Sequence, residues 1–452
     1  MDWKLMRTYL RYIAPSTLAF VLAGVYAVVD GLFVGHAIGD AGLAAINLAY
    51  PLQALVLSAG TGIGLGGAVI SSIRLGEADV NGSRQATAHT LALLALCAPV
   101  MMAVLLPSFD TLLYFMGARD AVLENAITYM GIVMWGIPFQ LLSTGSIPLI
   151  RNRGHVLYAM MASIVGGLAN VAGDGILVLI LGWGPFGAGL ATAMSQFLNF
   201  SLCMLFFLRK SQRMPLHMFK PVPRMVARTL SNGFAPFVLT LAPEVTTVAL
   251  NIATGAHGGG TAQAALAIIS YTGVSIQWMI QGVNDGSQPL ISRYFGAGDL
   301  RTLRALRHTN FAFAVGVGLI GALVLFGFKS QFAWIFGVSE EAAGMYFRGI
   351  ALFVLGLPLY GLSHAITSNF YAVESSKAAS AIIAAETACI IVLSFALSSA
   401  FGLDGAWATP PATQLLLCVL ALGLLAAQSG KIARRCAAQA EKRRANLQAG
   451  QQ

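Results

Sequence analysis

Five carboxylates lie within long apolar runs of this 452-residue chain, at Asp30, Asp174, Glu244, Asp285 and Glu386. No Lys or Arg accompanies them in those runs, and His364 is their one candidate for a cationic neighbour. Because a low-dielectric environment disfavours the ionised form of a carboxylate, such groups take up a proton readily. The pattern therefore predicts proton carriers, sodium ligands or counter-ions for a cationic substrate.

The apolar runs that hold these groups have the length of membrane-spanning helices. The chain is 57% hydrophobic and 10% charged, which is too apolar for a soluble domain. About twelve segments are long enough to cross a hydrocarbon core of ~30 Å. They are residues 12–35, 46–73, 90–108, 126–150, 156–182, 186–208, 232–256, 262–292, 309–328, 349–372, 378–402 and 405–428.

The distribution of positive charge predicts the orientation of the chain. If Met1 is cytoplasmic, all of the 27 Lys and Arg face the cytoplasm except Arg119, Lys329 and Arg348, as expected of cytoplasmic loops. Both termini are then cytoplasmic, and the net charge of +9 reflects topology and contact with membrane lipids rather than nucleic-acid binding. The basic tail, residues 431–452, could lie on anionic lipid, although a solvated terminus is the simpler account.

An internal repeat relates the two halves of the chain at a shift of roughly 217 to 221 residues. The spacing of Pro15, Asp30 and His36 recurs in Pro236, Asn251 and His257. Further matched pairs are Gly62 with Gly282, Gly66 with Gly286, Ser72 with Ser292, Gly76 with Gly296, Asp79 with Asp299, Gly136 with Gly356, Pro138 with Pro358 and Ser143 with Ser363. Agreement at nearly one offset over this length indicates a duplicated structural unit.

The spans and the repeat together predict an all-α polytopic membrane protein of two six-helix lobes. The lobes are residues 1–208 and 229–430, joined by a basic cytoplasmic linker at 209–228 and followed by the tail. Because each half has six spans, both halves enter the bilayer in the same direction, and a pseudo-twofold axis along the membrane normal should relate them. Rocking of two such lobes gives alternating access to a central cavity, which is typical of transporters.

Enzyme and cofactor motifs are absent from the sequence. The chain has no HExxH and no recognisable nucleophile and base pair, and its cysteines show no metal-ligand spacing. The glycine string GTGIGLGG at 60–67 contains GxGxxG, but it lies inside an apolar span with no preceding strand, so it does not predict dinucleotide binding. We therefore predict no enzymatic activity, no cofactor and no structural metal.

Depth in the membrane separates the carboxylates of the two lobes. Asp30 and Asp174 both lie roughly 25 Å from the cytoplasmic ends of their helices at ~1.5 Å per residue, so they could share one cavity. Asn170 precedes Asp174 by one turn and lies on the same helix face. These three residues form the predicted site for a proton or a sodium ion.

The second lobe offers its own candidates for binding substrate or cation. Glu244 is predicted near mid-membrane, Asp285 and Glu386 lie closer to the cytoplasm, and His364 is a candidate relay. Pro138 and Pro358, at matched positions of the two lobes, predict bends that could act as flexible points.

Several strings resemble the multidrug and toxic compound extrusion family, in its bacterial DinF-like and MepA-like branch. They are VVDGLFVGHAIG with Pro15, the pair Tyr50 and Pro51, NVAGD at 170–174, and GVNDGSQPLISRYFGAGD at 282–299. The likeness covers nearly the whole chain. It implies export of bulky organic cations in exchange for protons or sodium ions, an ion site at Asp30, Asn170 and Asp174, and a first helix that bends at Pro15.

The function we predict is therefore secondary antiport of amphipathic organic cations by a monomer in the bacterial inner membrane. The coupling ion stays open, because sodium-coupled relatives are described with carboxylates in the second lobe, where this chain has three. The alternative is a flippase for lipid-linked precursors. Such a protein needs cationic residues in its cavity to bind pyrophosphate, and none is predicted within these spans.

Overall fold

The computed structural model describes residues 3–220, 222–336 and 339–449, without the side chains of residues 25–41, 43 and 47. Throughout these ranges the secondary structure is helical and contains no β-strand, as the apolar runs predict. The helices are α1 (Trp3–Gly76), α2 (Val80–Leu105), α3 (Phe109–Phe115), α4 (Asp120–Val133), α5 (Ile137–Asn152), α6 (Val156–Asp174), α7 (Gly184–Leu208), α8 (Pro223–Gly296), α9 (Leu300–Gly327), α10 (Lys329–Ile335), α11 (Glu340–Ala372) and α12 (Ser376–Ala449).

Three helical runs, α1, α8 and α12, are too long to be single membrane spans. Each has 74 residues, or about 110 Å at 1.5 Å per residue, against a hydrocarbon core of ~30 Å. The backbone leaves helical geometry at Gly259, where φ is 58°, and at Gly402, where φ is 61°. Glycine tolerates positive φ without steric cost, so α8 and α12 each consist of two helices that meet at these residues.

The repeat is visible in the backbone as well as in the residue types. Ala78 and Gly298 both have positive φ, 63° and 73°, and so do Gly154 and Glu374, 87° and 54°. The two members of each pair are 220 residues apart. The chain therefore turns with the same unusual geometry at equivalent corners of its two halves.

The matched aspartates of the repeat cap two helices. An Asp79 carboxylate oxygen accepts a hydrogen bond of 2.7 Å from the Gly82 N–H at the start of α2. Asp299 accepts one of 3.0 Å from the Thr302 N–H at the start of α9. Carboxylates at this position satisfy backbone donors that the first helical turn leaves free, so this part of the repeat has a structural explanation.

The chain divides into two compact units. The N-unit consists of Leu18–Leu75 and Asp79–Thr240, and the C-unit consists of Met1–Thr17, Gly76–Ala78 and Leu241–Gln452. The N-unit thus consists mainly of the first half of the sequence and also contains the start of α8. The C-unit consists mainly of the second half and also contains the start of α1. The lobe boundaries predicted from the repeat follow chain order and do not include this exchange.

Glycines of α1 bring the start of α8 into the N-unit. A Cβ built on Gly62 would lie 2.8 Å from the Gly233 carbonyl oxygen, and one built on Gly66 would overlap the Thr229 carbonyl oxygen. Since no side chain fits between them, the two helix backbones are in direct contact.

The matched glycines of α8 make the equivalent contact in the C-unit. A Cβ on Gly282 would lie 2.6 Å from the Thr17 Cα, and one on Gly286 would lie 2.8 Å from the Ile13 Cα. The start of α1 therefore packs against α8 as the start of α8 packs against α1. Gly62 and Gly66 therefore explain why the start of α8 belongs to the N-unit. Gly282 and Gly286 explain why the start of α1 belongs to the C-unit.

The basic tail is a helix with one packed face. Ile432 and Cys436 are buried, and the Arg435 guanidinium lies 4.0 Å from a Glu374 carboxylate oxygen. Farther along, the Asn446 amide donates to the Glu77 carbonyl oxygen at 2.9 Å. The tail therefore packs on the C-unit along this face, where the sequence favoured a solvated terminus.

The three prolines predicted to bend helices have different local structures. Pro138 follows a short 3₁₀ segment, Met134–Gly136, and stands in the first turn of α5. Pro358 lies inside α11 and Pro15 inside α1, and both helices continue through them. Proline fits the first turn of a helix without loss of a hydrogen bond, as Pro138 does. Pro358, its match in the second half, lies inside a helix and removes one backbone hydrogen bond there. Their role in motion stays a prediction.

Candidate functional site

Asp174 is a completely buried carboxylate in the N-unit. It is the last residue of α6, and a π-helical segment, Gly175–Ile180, follows it directly. π-Helical turns are rare and are frequent at functional sites. The change of helix type thus begins at the one acidic residue between positions 125 and 243.

Asn170 lies on the same buried face of α6, one turn before Asp174. Its amide nitrogen is 3.5 Å from the Thr192 hydroxyl oxygen on α7. The structure thus places two of the three predicted first-lobe residues together and adds Thr192, which the sequence did not single out. The side chain of Asp30 lies outside the described residues. Carboxylate, amide and hydroxyl oxygens can bind a sodium ion, and the carboxylate can also hold a proton.

The predicted second-lobe residues are distributed over several places in the C-unit. Glu386 and His364 lie together, with the histidine Nε2 3.7 Å from a Glu386 carboxylate oxygen. Asp285 accepts a hydrogen bond of 2.7 Å from the Gln281 amide on its own helix. Glu244 is half-buried on α8, and no contact of the described residues joins it to the Glu386–His364 pair.

Three residues that the sequence did not predict complete the surroundings of Glu386 and His364. The Gln414 amide donates to the other Glu386 oxygen at 2.8 Å, and its own oxygen accepts from the Ser363 hydroxyl, also at 2.8 Å. The Tyr360 ring stacks on the His364 ring with 3.6 Å between centroids. Gln414 is an amide in the interior of an apolar span, which was the available signal in the sequence.

This network fixes the histidine tautomer. The His364 Nδ1 lies 3.2 Å from the Tyr360 carbonyl oxygen, which can only accept a hydrogen bond. The neighbouring Ser363 hydroxyl directs its hydrogen to Gln414 in its shortest contact. Nδ1 therefore carries the proton of a neutral imidazole, and Nε2 would present a lone pair to Glu386.

A lone pair on Nε2 facing an ionised carboxylate is repulsive. A proton on either group, as a carboxylic acid at Glu386 or an imidazolium at His364, would relieve that repulsion. His364 is 4% exposed and Glu386 is 9% exposed, and the titratable groups that face the pair are each other and Tyr360. The pair is therefore a candidate proton site inside the C-unit.

A second polar network lies in the C-unit and was also not predicted. The Tyr9 hydroxyl donates to the Asn310 side-chain oxygen at 3.2 Å, and the Asn310 amide donates to the Asn284 oxygen at 3.1 Å. All three side chains are buried. Because none of them titrates near neutral pH, we assign the network to the packing of α1 against α8 and α9.

Comparison with known proteins places this geometry among membrane transporters. The MatE family matches residues 15–176 and 236–409. The chain is 23% identical over 405 residues to the multidrug export protein MepA of Staphylococcus saprophyticus, with 88% of each protein covered.

Solved structures share the fold at lower identity. One is an outward-facing multidrug resistance MATE family transporter of the MOP superfamily, with a TM-score of 0.89 at 19% identity, covering 94% of this chain and 96% of the other. Another is a MOP superfamily transporter from Pyrococcus furiosus, with a TM-score of 0.88 at 20% identity, covering 95% and 96%. For that protein, the reverse polarity of the binding pocket suggests a different function. These likenesses confirm the predicted architecture of twelve membrane-spanning helices in two lobes.

Proposed function

This chain belongs to the MatE family of membrane transporters, and from that membership we propose that it exports organic cations from the bacterial cytoplasm in exchange for entering protons. The protein is a transporter and not an enzyme. We propose that it acts as a monomer in the inner membrane, with both termini in the cytoplasm. MepA, which it resembles along most of its length, is a multidrug export protein, and this supports drug-like cations as the substrates.

The observation that carries the proposal is the buried carboxylate of Asp174 at the junction of α6 with its π-helical segment. A carboxylate this deep in an apolar helix is costly and is retained for a function. When ionised it attracts a cationic substrate, and when protonated it loses that attraction. Competition of proton and substrate for one carboxylate couples their opposite movements.

Glu386 and His364 support the proton as the coupling ion. Both Glu386 oxygens face nitrogen groups, from Gln414 and from His364, whereas a sodium ion prefers a shell of oxygen ligands. The pair suits a proton better than a metal ion, and it lies in the other unit from Asp174. We therefore propose a second protonation site in the C-unit that contributes to the same exchange.

The test is efflux of ethidium, a fluorescent organic cation, from proteoliposomes under an imposed proton gradient and, separately, an imposed sodium gradient. We expect the proton gradient to drive efflux and the sodium gradient to have no effect. Asp30→Asn should abolish proton-driven efflux, and Asp110→Asn, which alters an exposed carboxylate on α3, should not. Efflux driven by sodium that survives Asp30→Asn would overturn the proposal and favour the second-lobe carboxylates as a sodium site.

The contribution of the histidine pair is predicted to appear in proton release. When the purified protein binds ethidium in unbuffered detergent solution, we expect protons to appear, detected with a pH indicator. His364→Gln should release fewer of them, because Glu386 then lacks the partner with which it shares a proton. His308→Gln changes an exposed histidine of α9 and should match the original protein. Equal proton release by all three proteins would contradict a role for the pair.

A further inference from the structure

Three arginines and a histidine lie together in the N-unit, where α2 and α6 begin and α5 and α7 end. Arg153, in the turn between α5 and α6, donates to the Gln212 backbone oxygen at 3.1 Å and to its side-chain oxygen at 2.9 Å. The Gln212 side-chain nitrogen also lies 3.4 Å from Nε2 of His155, just before the start of α6, and Arg84 on α2 donates to the backbone oxygen of the residue after Gln212. Arg209, at the end of α7, interacts electrostatically with His155. We call these four residues the cationic cluster, after its three arginines.

This cationic cluster has no carboxylate partner in the described part of the chain. Apart from Asp174, no Asp or Glu occurs between residues 125 and 243. Burial, and then the charge of Arg84, lower the pKa of Arg153 to about 10. Burial, followed by the charges of Arg209 and Arg153, also lowers the pKa of His155. The arginines therefore repel one another, and a bound anion would relieve that repulsion.

The equivalent corner of the C-unit is built differently. Glu374 stands 220 residues after Gly154, and both have positive φ. The Glu374 carboxylate lies 4.0 Å from Arg435. There the chain supplies its own counter-ion to an arginine. At the N-unit corner the equivalent residue is Gly154, and the described residues supply no counter-ion to Arg153 beside it.

Apolar and aromatic surface adjoins the cationic cluster. The Arg209 guanidinium lies 4.7 Å from the centroid of the Tyr158 ring, and the Tyr158 hydroxyl donates to the Leu202 carbonyl oxygen at 2.6 Å, which ties α6 to α7. Leu157, Leu205 and Leu208, at the same ends of these helices, are more than half exposed. A ligand at this place would meet positive charge on one side and hydrocarbon surface on the other.

We propose that this cationic cluster binds the phosphate headgroup of an anionic phospholipid, with its acyl chains along the exposed leucines of α6 and α7. The charges match a phosphate, and basic pockets between membrane helices on the cytoplasmic side bind such headgroups. The exposed leucines favour a lipid over free inorganic phosphate. The site is separate from Asp174 and from Glu386, and it does not depend on the transported substrate.

The experiment is native mass spectrometry of the full chain with added phosphatidylglycerol, compared with phosphatidylcholine. We expect the protein to retain phosphatidylglycerol in preference, and the double variant Arg153→Gln, Arg209→Gln to bind it about tenfold more weakly or worse, since each arginine contributes to the attraction. Arg443→Gln, Arg444→Gln, which removes two charges from the exposed tail, should leave retention unchanged. Arg209→Gln alone repeats the test without disturbing the bonds of Arg153 to Gln212.

Three outcomes would overturn the proposal. One is equal retention of the two lipids by the unaltered protein. Another is an equal loss of phosphatidylglycerol in the cluster variants and in the tail variant, which would indicate general surface charge. The third is displacement of the lipid by millimolar inorganic phosphate, which would indicate a free phosphate site.

Discussion

Asp174→Asn is expected to weaken coupled export strongly while the protein stays folded in the membrane. The amide keeps the shape of the buried side chain but cannot gain or lose a proton, so binding of substrate is no longer linked to release of the ion. We expect proton-driven ethidium efflux from proteoliposomes to fall by about five- to 150-fold, the range to which a coupling free energy of about 1–3 kcal/mol corresponds.

The matched control for Asp174→Asn is Asp404→Asn. Asp404 pairs with Arg348 at 2.7 Å in an exposed position, where an ion pair contributes little to stability, so efflux should be unchanged. Size-exclusion chromatography in detergent checks that both variants are folded. Unimpaired proton-driven efflux by Asp174→Asn would show that this carboxylate does not couple the two flows.

Gly66→Val is expected to prevent the N-unit from packing. Any side chain at this position overlaps the Thr229 carbonyl oxygen and approaches the Gly233 backbone within 2.8 Å. Because these neighbours are backbone atoms of a helix, they cannot move aside as a flexible side chain can. We expect a loss of about 3 kcal/mol of stability, seen as aggregation in detergent or as a strongly lowered Tm.

Gly286→Val should destabilise the C-unit in the same way, because a Cβ there meets the Ile13 backbone. Gly316→Val serves as the control, since nothing lies within 4 Å of a Cβ at Gly316. A Gly66→Val protein that elutes as a single peak with an unchanged Tm would show that the contact between α1 and α8 is looser than described.

The hydrophobicity of long sequence windows and the internal repeat made most of the architecture predictable. The spans depend on windows of about twenty apolar residues, and the repeat depends on many matched positions, so neither needs knowledge of tertiary contacts. Asn170 and Asp174 could be placed on one face because helical periodicity brings residues four apart together. Glycines four residues apart on a helix allow close helix contact, but the sequence does not show which helix they contact.

Contacts between distant segments could not be predicted from a single chain. Glu386 and His364 were both candidates, but they stand on different helices, and the sequence carries no measure of their separation. Gln414 and Ser363 act through geometry, since their amide and hydroxyl groups set the histidine tautomer. Such residues look like ordinary polar substitutions in a span until their neighbours are known.

The C-unit combines segments from both ends of the chain, and this has a consequence for biosynthesis. Tyr9 bonds to Asn310, 301 residues later, and Glu77 bonds to Asn446, 369 residues later. At roughly 5–20 residues per second, Glu77 waits roughly 20–70 s for its partner to be synthesised. The N-unit lies within residues 18–240, so it can fold while later helices are still being inserted. The start of the first helix, in contrast, stays without its final neighbours until the second half of the chain has emerged, so assembly of the C-unit is completed after translation ends.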